Sequence, residues 1–206
     1  MRRGCPKWGN PSMNSFPPDR AALRRTLRGR RAALPPAHRR SAAARQLQAL
    51  ARSPLLRPGS WVALYASAGS EAPTAALLAL ALRRGCRVCL PRITDRARAR
   101  MQFVRWRGAP LVPGPFGIHA PHGDSVVPAQ RLALVIVPLL GFDARGTRLG
   151  SGAGYYDRLL AFRIGRRGPP LLVGLAFEAQ RCAGLPRAGH DVPLDGVLTE
   201  HGLHLS

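Results

Sequence analysis

The residue types best able to do chemistry crowd into one stretch, residues 148–157, RLGSGAGYYD. Gly150, Gly152 and Gly154 alternate there with small residues. A main chain without Cβ atoms lets a ligand come close. Where such a loop opens a helix, its backbone N–H groups can point at a phosphate. Arg148 just before it adds a planar cation suited to phosphate, and Asp157 just after it adds a hard oxygen ligand suited to Mg²⁺. Together they suit a nucleotide with its metal. The loop alone is a weak signal. It lacks the Lys-Ser/Thr ending of a Walker A loop, and its spacing is not G-x-G-x-x-G. Taken alone it also fits a tight strand-to-helix turn without a ligand.

Other chemistry is scattered. Arg20, Arg24, Arg28 and Arg31 lie three or four apart and form one cationic stripe if residues 19–34 are helical. Such a stripe is either a solvated face or a set of cations reaching the phosphates of a nucleotide held by the later loop. Glu71 is the one acid in the small-residue loop ASAGSE. It is either a capping or surface carboxylate or an acceptor for an N–H-rich heterocycle. His190 and Asp191 are a candidate pair for metal or phosphate chemistry, with a capped turn as the plainer local alternative. Cys86 and Cys89 make a C-x-x-C in a strand-like segment. Residues three apart on a strand point to opposite sides, which disfavours joint ligation of zinc. Cys5, Cys86, Cys89 and Cys182 therefore read as reduced thiols.

These groups need positioning elements. Residues 132–140 form an apolar run of the kind a strand buried on both faces requires, and it feeds the glycine loop. Tyr155 to Arg163 reads as the helix after that loop. Upstream, residues 19–34 read as a helix with Asp19 as N-cap, and Pro35-Pro36 breaks it before a second helix over 38–52. WVALY is a short buried strand, residues 73–84 a helix capped by Gly85, residues 87–90 and 101–106 further strands. Residues 108–128 are long, irregular and rich in Pro and Gly; Phe116-Gly117-Ile118 there is apolar enough to line a pocket or cover the sheet. LLVGLA and GVLT are the last strands. Residues 1–18 lack periodicity and are expected to be disordered, or to reflect an upstream start, Met13 being a second one. Residues 19–206 are expected to form a single three-layer α/β/α domain with a mainly parallel sheet.

Composition sets bounds. A chain of 206 residues suits one such domain with a full core. No apolar run is long enough to span a bilayer, and a cytoplasmic protein is expected. The formal net charge is +22. That invites a nucleic-acid reading, but nearly all of it is arginine, alongside abundant Ala, Gly, Pro and Leu, as GC-rich coding would give. The aromatics are few and not interleaved with arginines along the chain. No specific nucleic acid is expected.

The stretch VPLLGFDARGTRLGSGAGYYDRLL resembles the signature of the 5-formyltetrahydrofolate cyclo-ligase family. The likeness continues through RAALRRTLRGRRAAL, WVALYASAGSE, RGCRVCLPR, LVPGPFGIHAP, VGLAFEAQ and HDVPLDGVLTE, in the same order. It implies ATP-dependent closure of 5-formyltetrahydrofolate to 5,10-methenyltetrahydrofolate, with ATP and the reduced folate as partners and Mg²⁺ as cofactor, in a monomer. It also implies site residues. Arg20 and Arg24 would bind ATP phosphates, Arg20 standing where the family usually has lysine. Arg148, Leu149, Gly150, Ser151, Gly152, Ala153, Gly154, Tyr155 and Tyr156 would form the nucleotide-binding segment. Of these, Ser151, Gly152, Ala153, Gly154 and Tyr155 would also meet the folate. Ala66 and Glu71 would contact the folate, Glu71 at the pterin. Asp157 and Asp191 would associate with Mg²⁺, and Arg148 and Tyr155 would act in catalysis. Two rivals remain: a basic RNA-binding protein on the same fold, and a paralogue using another formylated or pterin-like substrate.

Overall fold

A computed structural model describes residues 19–205. The extension expected to be disordered, residues 1–18, lies outside the described residues. Helix α1 (Arg20–Ala32) begins where the Asp19 carboxylate accepts the N–H groups of Ala21 and Ala22 at 2.9 and 3.2 Å. That satisfies donors which a helix start otherwise leaves unpaired. Helix α2 (Pro36–Arg52) starts with proline at its first turn, where no N–H is needed. Helix α3 (Ala75–Arg83) ends before Gly85, whose φ of +72° is a left-handed stop.

Eight strands make one sheet: β1 (Trp61–Ala63), β2 (Arg87–Asp95), β3 (Arg100–Arg105), β4 (Val126–Val127), β5 (Leu134–Pro138), β6 (Leu171–Leu175), β7 (Gly196–Thr199) and β8 (Gly202–Leu205). Their order is β8-β7-β6-β5-β1-β2-β3-β4. The run from β7 to β2 is parallel. Antiparallel strands finish both edges.

Alternation along the inner strands builds two cores. Val62, Leu64, Leu134 and Ile136 pack with Leu50, Leu77 and Ala81 of α2 and α3. Ala63, Val135, Val137 and Leu172 face the other way, toward Phe103, Phe142 and Leu160. Each such large side chain stabilises the fold by about 1.5–3 kcal/mol through burial. Cys86 joins the first core and Cys89 the second, so the C-x-x-C is split across the sheet as its spacing predicts.

The second face carries less helix than expected. In place of one helix over 155–163, α4 (Tyr155–Leu159) stops at Leu160 and a short 3₁₀ turn, Ala161–Arg163, follows. The break has a cause. Leu160 is fully buried, and the Arg163 guanidinium is drawn to Pro170 O at 3.2 Å and to Asp195 at 2.9 Å. Strand β8 was not anticipated. The irregular stretch 108–128 contains a small hairpin, Val112–Pro113 against His119–Ala120, and the edge strand β4.

One topological feature places the site. After β1 the chain moves to β2 on one side, and after β5 it moves to β6 on the other. Between these neighbours the strand order reverses, leaving a crevice at their C-terminal ends. Open α/β sheets bind ligands at such a point.

Candidate active site

The crevice is a cavity of about 720 Å³. Arg20, Arg24, Ala66, Glu71, Arg148, Gly150, Ser151, Gly152, Ala153, Gly154, Tyr155, Tyr156, Asp157 and Asp191 all line it. These groups lie up to 171 residues apart in the chain, as the Arg20–Asp191 pair shows. Leu149 does not line the cavity. Its side chain is fully buried with Leu27, Leu140 and Leu185, where it anchors the loop from beneath. The whole stripe Arg20, Arg24, Arg28 and Arg31 faces the cavity, while Leu27 of α1 is buried on the opposite side.

The glycine loop is held through its carbonyls. Arg24 Nε donates to Gly150 O at 3.1 Å, and Arg158 Nη1 to Ala153 O at 2.6 Å. Gly152 has φ +115°, and a Cβ there would sit 3.4 Å from the Arg24 guanidinium. Among the described residues, no protein acceptor takes the backbone N–H groups from Ser151 to Asp157. An unpaired run of this kind is an anion cradle. Beneath it, the turn after Phe142 is clamped by the buried Asp143 carboxylate, which accepts the N–H groups of Arg145, Thr147 and Leu185 at 3.0 Å each.

The candidate metal acids are already engaged by arginine. Arg20 holds Asp191 through two bonds, at 3.0 and 3.2 Å. Arg148, only 5 % exposed, donates to Asp157 Oδ1 at 2.6 Å and to Val192 O. Burial lowers the Arg148 pKa, and Asp157 and Asp191 oppose that shift. Burial would raise the Asp191 carboxyl, but the bonds from Arg20 and Ala188 N–H hold it below its ordinary value. Asp157 Oδ1 also accepts Val192 N–H at 3.1 Å, and its Oδ2 has no partner among the described residues. A magnesium site of one or two carboxylates completed by substrate phosphates needs no more protein oxygen than this. Among the described residues no three acids, histidines or cysteines gather as a closed cage.

Another part of the lining is apolar. Pro91, Ile93, Met101, Ile118, Ala120 and Tyr65 contribute to it. Ile93 and Met101 are cross-strand partners in β2 and β3. Glu71 also lines the cavity. Burial raises its pKa, against the Ala68 N–H it accepts at 3.0 Å and the Arg31 charge nearby. Arg31 itself is braced on Ser70 Oγ at 3.0 Å and Leu139 O at 3.3 Å. The Tyr156 hydroxyl is buried and has no hydrogen-bond partner among the described residues. Burial pushes both Tyr65 and Tyr156 upward, so both are neutral phenols.

Sequence reasoning passed over Tyr65, Arg158, Ile93 and Met101. Tyr65 stood next to Ala66 at the strand end and carried a usable signal. The hairpin wall carried none, because only the pairing of β2 with β3 brings it to the cavity.

Fold and site together define an α/β protein with one crevice at a switch point, lined by a glycine loop, arginines and apolar side chains. The profile of the 5-formyltetrahydrofolate cyclo-ligase family matches residues 17–200. The chain is 32% identical over 176 residues to the 5-formyltetrahydrofolate cyclo-ligase of Escherichia coli (strain K12), covering 84% of this chain and 96% of that one. It is 34% identical over 140 residues to the Haemophilus influenzae enzyme of that name, covering 66% of this chain and 74% of the relative. The solved structure of Aquifex aeolicus 5,10-methenyltetrahydrofolate synthetase superimposes with a TM-score of 0.77 at 30% identity, over 90% of this chain and 92% of that one. A synthetase structure from Mycoplasma pneumoniae shares the fold, with a TM-score of 0.69 at 22% identity over 88% of this chain and 99% of that one. The chain belongs to the 5-formyltetrahydrofolate cyclo-ligase family.

Proposed function

We propose that this chain converts 5-formyltetrahydrofolate to 5,10-methenyltetrahydrofolate at the expense of ATP. The observation that carries this reading is one cavity whose lining joins the glycine loop and arginines to apolar side chains and the Glu71 carboxyl. The formyl oxygen attacks the terminal phosphorus, the bond to ADP breaks, and an imidate-like phosphate ester forms. N10 then attacks the formyl carbon, a C–N bond forms, the C–O bond breaks, phosphate departs and the N10 proton is lost. A formamide carbon is a poor electrophile, and phosphorylation gives its oxygen the ability to leave. The protein's share is positioning and charge stabilisation.

Roles follow the geometry. The loop Gly150–Tyr156 takes the phosphates on its N–H groups, with Arg24 and Arg28 above it. Arg20 joins them by giving up part of its hold on Asp191. Asp157, through its open Oδ2, and Asp191 would hold Mg²⁺, which when bound neutralises charge building on the phosphates. Arg148 fixes Asp157 and lends it positive charge. The pterin lies on Ile93, Met101 and Ile118, presenting donors to Glu71, and Ala66 leaves room at the strand end. Tyr155 and the small residues Ser151 to Gly154 stand where formyl and phosphate meet. Every group comes from one copy of the chain, so a monomer suffices. A cytoplasmic site of action is proposed with this role; no helix among the described residues is long and apolar enough to cross a membrane.

The test is direct. Purified protein, Mg²⁺-ATP and 5-formyltetrahydrofolate are mixed, and the methenyl chromophore is followed in the near ultraviolet. Its growth with ADP release at equal rate is expected. ATP hydrolysis without the chromophore would overturn the reading.

A further inference from the structure

At the end of the sheet opposite the cavity, three guanidinium groups converge on one indole. Arg87 and Arg105 each lie 5.5 Å from the Trp61 ring centroid, and Arg131 lies 5.8 Å from it. They come from separate elements: Trp61 opens β1, Arg87 opens β2 beside it, Arg105 ends the antiparallel β3, and Arg131 precedes β5. The arginine–aromatic interleaving that is absent along the chain is therefore assembled by the sheet.

One feature separates this cluster from an ordinary solvated charge face. Among the described residues, none of the three guanidiniums donates to a carboxylate or a carbonyl, although like charges held around one ring repel. Asp195 pairs with Arg163 at 2.9 Å, and the exposed Asp124 lies 3.6 Å from Arg92. Arg87 and Arg131 are exposed, so cations from separate elements are presented together at this edge.

We propose that this edge binds a flexible chain of phosphates, and that its occupant is single-stranded nucleic acid. Guanidinium groups that rest on an aromatic ring keep their N–H edges free for phosphate, and their planes accept stacked bases. Inorganic polyphosphate shares the phosphates and lacks the bases. The site is independent of the cavity. Between Trp61 and Ala66 the extended chain covers roughly 16 Å at about 3.3 Å per residue.

The test uses the full chain and a fluorescent oligouridylate of about twelve nucleotides, within the range one small domain covers. Anisotropy is titrated at several salt concentrations, with inorganic polyphosphate of equal charge and phosphatidylserine vesicles as competitors. Replacing Arg87, Arg105 and Arg131 together by Gln should weaken binding at least tenfold. The slope of log affinity against log salt should fall by about 2, since each single-strand phosphate contact contributes about 0.7. Formation of the methenyl product should be unchanged, which also shows the variant is folded. The matching triple Lys variant keeps the charge without the stacking plane and should recover only part of the affinity. An unchanged slope in the Gln variant, full recovery with Lys, or equal competition by polyphosphate or vesicles would each overturn the proposal.

Discussion

At the C-terminal ends of β1 and β5 three arginines have partners: Arg20 holds Asp191, Arg148 holds Asp157, and Arg31 spans Ser70 and Leu139. At the N-terminal ends Arg87, Arg105 and Arg131 share one tryptophan and no acid among the described residues. The contrast separates position from charge. A paired arginine keeps a fixed place in a pre-shaped cavity and gives up part of its field; an unpaired one keeps its field. A net charge of +22 does not by itself tell these apart.

Removing a partner at the cavity end tests the comparison most severely. Asp157→Ala should lower kcat by at least a hundredfold at saturating Mg²⁺-ATP. Because Arg148 is left buried without its counter-charge, denaturant unfolding should also show a loss of about 3 kcal/mol. Asp157→Asn keeps an acceptor and should recover most of the stability but little of the rate. Equal stability of the Ala variant and the parent would sink the pairing account.

Asp143→Ala is next, at about 2–3 kcal/mol, since several buried N–H groups lose their acceptor together. Those groups outweigh the opposing effect of burial and hold the Asp143 pKa below 3.8. This carboxylate therefore stabilises the fold above its unfolded pKa, and the stabilisation is lost as pH falls through the folded value. Acid unfolding of the Ala variant should be correspondingly flatter there. Gly152→Ala forces φ +115° on a residue with a Cβ. It should cost about 1–2 kcal/mol and raise the KM for ATP more than that for the folate.

Glu71→Gln should give the smallest change, a severalfold rise in folate KM with the ATP KM unmoved. Its stability effect has the opposite sign. Burial raises the Glu71 pKa from 4.5, so the folded chain binds the proton more tightly than the unfolded one. The parent then loses stability as pH rises from the unfolded toward the folded pKa. The Gln variant should lack that loss and be slightly more stable at neutral pH. A weakened ATP dependence instead would remove Glu71 from the folate side.

The sequence was most legible where one local rule sufficed. Apolar runs marked β5 and β6, Asp19 capped its helix, and glycine alternation located the loop. It was least legible where partners are remote. The hairpin wall of Ile93 and Met101 depends on antiparallel pairing, and Leu149 inside the loop turns to the core because Leu27 and Leu185 wait beneath it. Strand β8 has only four residues, Gly202–Leu205, too few for an alternation of two to stand out. The Trp61 cluster draws on four separate elements, and a scan along the chain sees only isolated arginines.

The clasp between Arg20 and Asp191 joins groups 171 positions apart. During synthesis the first helix leaves the ribosome long before the carboxylate that it must meet. The nucleotide wall therefore closes only when nearly the whole chain has emerged, and a prematurely terminated chain ending before Asp191 would carry the glycine loop yet leave the cavity without its completed rim.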